Sequence, residues 1–178
     1  MKYLIISDLH LTTNFNGRKF RFLKEIISAS DKVIINGDLW TYYYVTFDQF
    51  LNSKWKDLFP LLKGKKAVYV YGNHDREKYC DLRVHEFSVR QRQSYKLNVS
   101  GKTFLVRHGN DLMKVNVENS DAYMRFWRTF KIDVITYFLE TLLVIFLGRY
   151  LYWPGKMLNK TIKEKTKEMK EVDYVVVG

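Results

Sequence analysis

Short apolar, β-branched segments recur along the chain, and each one ends in a polar residue or a glycine. They lie at 2–7, 32–36, 66–71, 103–107 and 173–177. Between the first two, apolar residues recur near helical spacing: Phe20, Phe22, Leu23, Ile26 and Ile27. A second stretch rich in Phe, Leu and Trp covers 47–62. This alternation predicts an α/β fold in which crossover helices connect parallel strands.

The second half of the chain has a different pattern. Two alternating segments, 96–99 and 103–106, flank a Ser-Gly pair at 100–101, which predicts a β-hairpin and therefore an antiparallel section. Residues 121–170 show no strand pattern and predict a helical lid inserted before the last strand of a single domain, residues 1–178. Within it, the charged run 160–171 has the i, i+4 spacing of a solvated helix face.

The apolar run 132–151 is long enough to cross a bilayer, which takes about 20 residues. It contains Asp133, Glu140 and Arg149, and each charge near the bilayer centre costs about 3 kcal/mol on insertion scales. A span would also separate the last predicted strand from the others. We therefore expect a lid helix that holds acyl chains or touches a membrane surface, or else a core or dimer-facing helix.

Composition and charge narrow the classes of function. A length of 178 residues suits one domain with one active site, and an apolar share of 47% excludes a disordered chain. The formal charge of +11 attracts phosphate esters, nucleic acid or acidic lipid headgroups. The single cysteine, Cys80, excludes an internal disulfide framework, and Asp8 follows the first apolar run too early for a secretory signal. We expect a cytoplasmic protein.

The polar residues at the predicted strand ends are the candidate chemistry. Asp8 and His10 lie two apart, so that on an extended segment both side chains point the same way and can bind one ion. Asp38 follows Gly37 in a tight turn and has two oxygens that can bridge two cations. Further strand ends carry an amide, two imidazoles and a carboxylate: Asn73, His74, Asp75 and His108. Because strand ends of an open α/β sheet share one crevice, we expect these side chains to converge.

In this order, the elements resemble the calcineurin-like metallophosphoesterase superfamily. Its pattern runs Asp-x-His, Gly-Asp, Gly-Asn-His-Asp/Glu, His and Gly-His-x-His, and every element except the last is present here. The most specific of them is the Gly-Asn-His-Asp segment at 72–75. The resemblance implies a four-layer α-β-β-α sandwich with mixed sheets. Since 173–178 resembles the strand before the last element, we expect the natural protein to continue past Gly178 with two more histidine ligands.

The resemblance also implies two divalent ions and their ligands. Asp8 and His10 would hold the first ion, Asn73 and His108 the second, and Asp38 would bridge both. Two such ions clamp a phosphoryl group and lower the pKa of a bridging water. Oxygen and nitrogen ligands without thiolate suit Mn, Fe, Zn or Co, with Mg also open, and the resemblance favours manganese.

The implied reaction is hydrolysis of a phosphoester or phosphoanhydride bond. His74 would act on the phosphoryl oxygen or the leaving group, and Asp75 would orient it. The insertion at 121–170 is similar to that of the UDP-2,3-diacylglucosamine diphosphatase branch, which implies a nucleotide-linked lipid or sugar as substrate and peripheral contact with the membrane. Asp121 lies in the segment that resembles the opening of this insertion. Four basic residues flank the apolar region and are candidates to pair with a diphosphate, with a solvated surface role as the alternative for each: Arg125, Arg128, Lys160 and Lys163.

Two departures from that branch leave other interpretations open. The branch has Arg at the position of His74, and His-Gly-Asp where this chain reads His-Gly-Asn-Asp at 108–111. A general phosphodiesterase or nuclease of the same fold also suits the charge, although nucleic acid is the less favoured partner. A truncated, non-catalytic, membrane-associated module is the third interpretation.

Aromatic residues at 40 and 42–44 either stack on a base or belong to the core, and His85 is expected on the surface.

Overall fold

The computed structural model describes residues 1–110, 112, 160–167, 169 and 171–178. The chain divides into two compact units, residues 1–108 with 172–178, and residues 109–171. The lid predicted at 121–170 falls in the second unit, and its apolar run 132–151 lies outside the described residues. Among the residues that are described, no helix has both the length and the apolar character needed to span a bilayer.

Four parallel strands form the first sheet of the first unit, in the order β1-β2-β3-β4. They are Tyr3–Ile6, Lys32–Asn36, Val68–Val70 and Arg90–Arg92. The first three confirm the predicted strands, with β3 shorter than the run 66–71. β4 was not predicted, because its sequence Arg-Gln-Arg lacks the apolar residues of a buried strand. Among the described strands it pairs with β3 alone, at the edge of the sheet, where the side chains of Arg90 and Arg92 are exposed to water.

The second sheet is mixed and has three strands. β5 (Ser94–Val99) and β6 (Lys102–Arg107) are antiparallel, and β7 (Tyr174–Val177) is parallel to β6. The predicted hairpin is confirmed: Ser100 and Gly101 have φ angles of 50° and 77°. Two successive positive φ angles are typical of the type I′ turn, whose twist matches that of the flanking strands.

The helices pack on one face of the first sheet. α1 (Gly17–Ser28) begins at Asn16, whose side chain accepts from the Lys19 amide. The single helix suggested by 47–62 is three pieces: α2 (Phe47–Leu51), a 3-10 helix at Lys54–Leu58 and α3 (Phe59–Gly64). Ser53 caps the middle piece, and Pro60 stands in the first turn of the last, where its missing N–H costs nothing.

Two apolar clusters fix the layers of the first unit. Val33 and Ile35 of β2 pack with the helical side, which includes Trp40 and the other aromatic side chains of the core. Ile34, between them in sequence, packs against the second sheet with Val106. This period of two is the alternation of a strand that is buried on both faces. The described residues therefore form helical, parallel-sheet and mixed-sheet layers, which confirms the mixed α/β fold.

The second unit is described at a turn and a helix. The Leu112 amide donates to Gly109 O at 2.9 Å. Residues 160–167 are helical, and Lys160 and Glu164 form an exposed i, i+4 pair at 4.0 Å. The predicted solvated helix face is confirmed there.

Candidate metal centre

The loops that follow β1 and β2 run side by side beyond the sheet. The Asp8 amide donates to Gly37 O at 3.2 Å, and the His10 amide donates to Asp38 O at 2.9 Å. Strand pairing has ended at this point, yet the two backbones remain hydrogen-bonded. The first two candidate motifs, Asp-x-His and Gly-Asp, are therefore joined through their backbones.

Three candidate ligands have left-handed backbone conformations. The φ angles are 55° at Asp8, 45° at His10 and 54° at Asp38. This corrects the expectation that Asp8 and His10 lie on an extended segment: turns, not strand alternation, direct them. A non-glycine residue in this region costs on the order of 1 kcal/mol or more. Strain concentrated at three neighbouring residues is typical of a functional site.

Asp38 lies at the centre of the cluster, with its side chain 3% exposed. Its Oδ2 is 3.3 Å from His108 Nε2, 3.8 Å from His10 Nε2 and 3.9 Å from His74 Nε2. Burial alone would raise the pKa of Asp38, but the hydrogen bond and charge of His108 outweigh it and lower the pKa. The carboxylate is therefore charged and faces three imidazole nitrogens.

Two triads of ligand atoms share Asp38, and the atoms of each lie within 4.8 Å of one another. One contains Asp8 and His108, and the other contains His10 and His74. Asn73 Oδ1 lies 3.0 Å from His108 Nε2, so Asn73 joins the first group. The structure thus brings all five predicted ligands together and adds His74.

These donors fit a pair of divalent cations. Carboxylate oxygens and imidazole nitrogens converge without a thiolate, which is the ligand chemistry of borderline divalent metals. The grouping of Asp8 with His108 differs from the expected grouping with His10, although Asp8 Oδ1 and His10 Nε2 are also only 3.9 Å apart. Which ligand binds which ion stays a prediction.

His108 is held in one orientation by a backbone carbonyl. Its Nδ1 lies 2.9 Å from Asn36 O, so Nδ1 carries the proton that it donates there and Nε2 faces Asp38 and Asn73. A partner of this kind fixes the tautomer of a metal-binding histidine. Burial opposes protonation of the ring, but Asp38 outweighs burial and raises the His108 pKa to about 9.

His74 is oriented by Thr41, which the sequence did not suggest. His74 Nδ1 lies 3.0 Å from Thr41 Oγ1, and the His74 amide donates to Asp38 Oδ1 at 2.8 Å. Tyr43 packs against the ring with 4.4 Å between the ring centroids. Burial lowers the His74 pKa to about 4, so the imidazole is neutral near pH 7. In the tautomer that donates from Nδ1 to Thr41, the Nε2 lone pair faces Asp38.

Asp75 has a different task from the predicted one of orienting His74. Its carboxylate is completely buried and accepts three backbone N–H groups, from Gly72 at 2.8 Å, Asp38 at 3.0 Å and Leu39 at 2.7 Å. Burial raises the Asp75 pKa to about 6, and the amide hydrogen bonds oppose that rise. Asp75 therefore ties the loop after β3 to the loop that carries Asp38.

Two glycines allow these loops to approach so closely. A Cβ on Gly72 would lie 2.1 Å from Asp38 Oδ1, and a Cβ on Gly37 would lie 2.5 Å from the His108 ring. Gly37 also has a φ of 80°. The glycines of the Gly-Asp and Gly-Asn-His-Asp motifs thus leave space for the ligands themselves, which a local turn preference does not reveal.

The predicted substrate-binding residues are only partly described. Lys160 and Lys163 lie on the helix 160–167 of the second unit, and both are exposed. Lys160 pairs with Glu164, as a surface lysine often does. Asp121, Arg125 and Arg128 lie outside the described residues. The substrate-binding role of all five stays a prediction.

Comparison with known proteins places the chain in context. The family profile of the calcineurin-like phosphoesterases matches residues 1–178. No curated protein sequence matches. A protein of unknown function from Aquifex aeolicus is 19% identical, with 79% of this chain and 74% of that chain covered and a TM-score of 0.46.

Two further solved structures are similar over shorter stretches. Yfce, a phosphoesterase from E. coli, is 16% identical, with 61% of this chain and 58% of that chain covered and a TM-score of 0.41. Vps29 from Entamoeba histolytica, solved with zinc, is 14% identical, with 70% and 58% covered and a TM-score of 0.39. The chain thus spans less than two thirds of the length of these two proteins.

Proposed function

The chain belongs to the calcineurin-like phosphoesterase family, and on that premise we propose that the Asp38 cluster holds two divalent cations at which phosphoester or phosphoanhydride bonds are hydrolysed. The family assignment makes the chain a metal-dependent hydrolase of phosphoester bonds. The observation that supports the proposed site is that both triads of ligand atoms share one buried carboxylate.

The chain's own residues prepare the site for this reaction. When bound, two divalent cations supply charge that offsets the negative charge of the phosphoryl group and makes an attacking water more acidic. Asp38 offers one oxygen towards the imidazoles of His10, His74 and His108 while its other oxygen accepts the His74 amide. A carboxylate fixed in this way does not have to reorient when cations and substrate bind, which is the advantage of a preorganised electrostatic site.

His74 is proposed to act on the phosphoryl oxygen or the leaving group, and Thr41 sets its ring orientation. Because the ring is neutral near pH 7 and its proton is on Nδ1, Nε2 first accepts a proton from the attacking water and then passes that proton to the leaving-group oxygen. His74 also belongs to the triad that could hold a metal ion with His10 and Asp38. Binding a metal and transferring a proton would both use its Nε2 lone pair, so the two roles exclude each other. We assign it the second role.

The finer proposal concerns the substrate. We infer a small molecule that carries a diphosphate, such as a nucleotide-linked lipid or sugar, cleaved in the cytoplasm at the membrane surface with manganese. The support comes from the sequence: segment 126–146 has more apolar residues than one helix face needs, and a charge of +11 favours an anionic substrate.

The test compares hydrolysis of bis(p-nitrophenyl) phosphate, UDP-linked lipid and RNA by the full chain with Mn, Zn or Mg. Asp38→Asn should lower kcat/KM by at least about a hundredfold with every substrate, because it removes the shared charge. The exposed Glu25→Gln is the matched control. Equal activity of the two variants would refute the proposed site.

The salt dependence of the activity distinguishes best between a nucleic-acid substrate and a lipid substrate. Activity on RNA should fall steeply with salt because phosphate contacts release counterions, whereas activity on a lipid substrate should depend on acyl length or detergent. Preference for RNA would support the nuclease interpretation over the lipid diphosphate.

A further inference from the structure

A second concave site lies at the opposite end of the first sheet from the metal centre. The cavity measures about 170 Å³, and Tyr3, Lys32, Val68 and Arg90, the first residues of β1 to β4, contribute to its lining. The candidate metal ligands follow the other ends of these strands. At about 3.3 Å per residue, β2 alone separates its two ends by roughly 13 Å. The cavity is therefore distinct from the Asp38 cluster.

The lining of this cavity is positively charged, and no acidic side chain in it balances that charge. It includes Lys32, Lys66 and Arg90 and no acidic residue. Within the described part of the chain, no salt bridge pairs any of these three side chains with a carboxylate. Cations gathered around one concavity repel one another, and an anion between them removes the repulsion.

Nearby lysines show the ordinary structural use of this side chain. Lys63 Nζ donates to Ser88 O at 3.2 Å, and Lys65 Nζ donates to Ser28 O at 2.9 Å. These ammonium groups satisfy backbone carbonyls at chain turns. Lys66, the next residue, makes no such contact among the described residues. Its charge has no structural partner there.

The backbone of Lys66 gives a second, independent indication. α3 ends in a Schellman motif: the Lys66 amide donates to Lys63 O at 2.9 Å and the Ala67 amide to Leu62 O at 3.0 Å. Lys66 occupies the left-handed position of this motif with a φ of 52°. Glycine is the unstrained residue at that position. A lysine held there against local preference is the kind of outlier from which a functional role is inferred.

Two aromatic rings complete the lining. Tyr3 and Tyr95 are half-buried and line the same cavity beside Val68 and Val89. Lys32 Nζ lies 5.9 Å from the centre of the Tyr3 ring. The lining therefore combines cations for an anionic group with apolar and aromatic faces for a planar or apolar substituent.

We infer that this cavity binds the phosphate group of a small phosphate ester. Lys32, Lys66 and Arg90 donate to the phosphate oxygens, while Tyr3 and Tyr95 contact the ester substituent. The inference does not depend on the reaction proposed for the metal centre, since no residue is shared between the two sites.

The test is an NMR titration of the full chain in the presence of Mg, with inorganic phosphate and with uridine monophosphate. Backbone amides at 66–68 and 90–92 report on the cavity, and those at 36–38 and 72–75 report on the metal centre. We expect both probes to shift the first set and uridine monophosphate to bind more tightly there. Shifts confined to the second set would overturn the inference, and equal binding of the two probes would overturn the role of the tyrosines.

Lys66→Gly separates function from folding. Relief of the left-handed strain should raise Tm by about 2–4 °C, while loss of one charge-assisted donor weakens phosphate binding at the cavity about tenfold. Ser100→Gly is the matched backbone control, because Ser100 has a φ of 50° outside the cavity; its Tm should rise with binding unchanged. Lys24→Gln controls for net charge. Phosphate binding by Lys66→Gly equal to that of Lys24→Gln would refute the site.

Discussion

Gly72→Ala is the sharpest test of how this metal centre is built. The added Cβ would lie 2.1 Å from Asp38 Oδ1, 2.5 Å from the Asp38 amide nitrogen and 2.9 Å from Asp75 Oδ1. Ordinary carbon contacts begin at about 3.4 Å, so either the Asp38 carboxylate or the loop after β3 must shift by more than about 1 Å. Both are held by the Asp75 hydrogen bonds, so the shift strains the site.

The expected cost has two parts. Overpacking of this kind lowers the free energy of unfolding by about 1–3 kcal/mol. A displacement of about 1 Å at a reacting centre lowers kcat roughly a hundredfold. Because Asp38 is shared by both triads, affinity for both cations should fall together. The decisive measurements are urea denaturation, kcat and KM on bis(p-nitrophenyl) phosphate, and calorimetric titration with Mn.

Gly64→Ala is the matched control, since a Cβ there would meet nothing within 4 Å. It lies at the end of α3, where alanine is a better helix former than glycine, so stability should stay equal or rise slightly. Wild-type kcat and metal affinity in Gly72→Ala would refute the reasoning. Loss of both in Gly64→Ala as well would show that the assay reports general instability.

Three further predictions follow from the same geometry. Thr41→Val should lower kcat about tenfold with KM nearly unchanged, because the His74 ring loses its partner at 3.0 Å; Thr41→Ser should restore activity, and an unchanged kcat would exclude the orienting role. Asp75→Asn places an amide NH₂ against backbone N–H groups and should lower the free energy of unfolding by roughly 2–4 kcal/mol in urea, whereas the exposed Asp57→Asn should change it by less than about 0.5 kcal/mol. In metal-free protein, the pKa of His108 is about 9, above its unfolded value of about 6.5. Protonated His108 therefore contributes fully to the free energy of unfolding below pH 6.5, and this contribution, roughly 3 kcal/mol, should be lost as the pH rises to 9. Urea denaturation at several pH values in this range measures the loss; a free energy of unfolding that does not change with pH would contradict the pairing of Asp38 with His108.

The centre owes its form to contacts between loops rather than to the strands. Asp75 joins the loops after β2 and β3 through three amides, and Asn36 O, at the end of β2, fixes the ring of His108, which follows β6. The left-handed conformations of Asp8, His10 and Asp38 are strained, and contacts between the loops stabilise them. A site assembled before its cations arrive loses less entropy when they bind.

Some features that the sequence analysis missed were nevertheless visible in the sequence. Ser53 and Pro60 are signals of a helix start, and together they divide 47–62 into three pieces. β4 had no such signal, since its polar residues form a strand only because β3 offers an unpaired edge. The Thr41 contact to His74 spans 33 residues, and no local pattern indicates such a pair.

The order of motifs by itself determined the family, the class of chemistry and the strand ends at which the ligands stand. It could do so because apolar periodicity and strand-end polarity are local properties of a chain, read within a few residues. Only the tertiary structure decided which ligands face each other, that Thr41 rather than Asp75 orients His74, and that Lys66 shares a cavity with Arg90. Those relations depend on the side-chain directions of residues far apart in sequence, and such directions are fixed only when the loops pack.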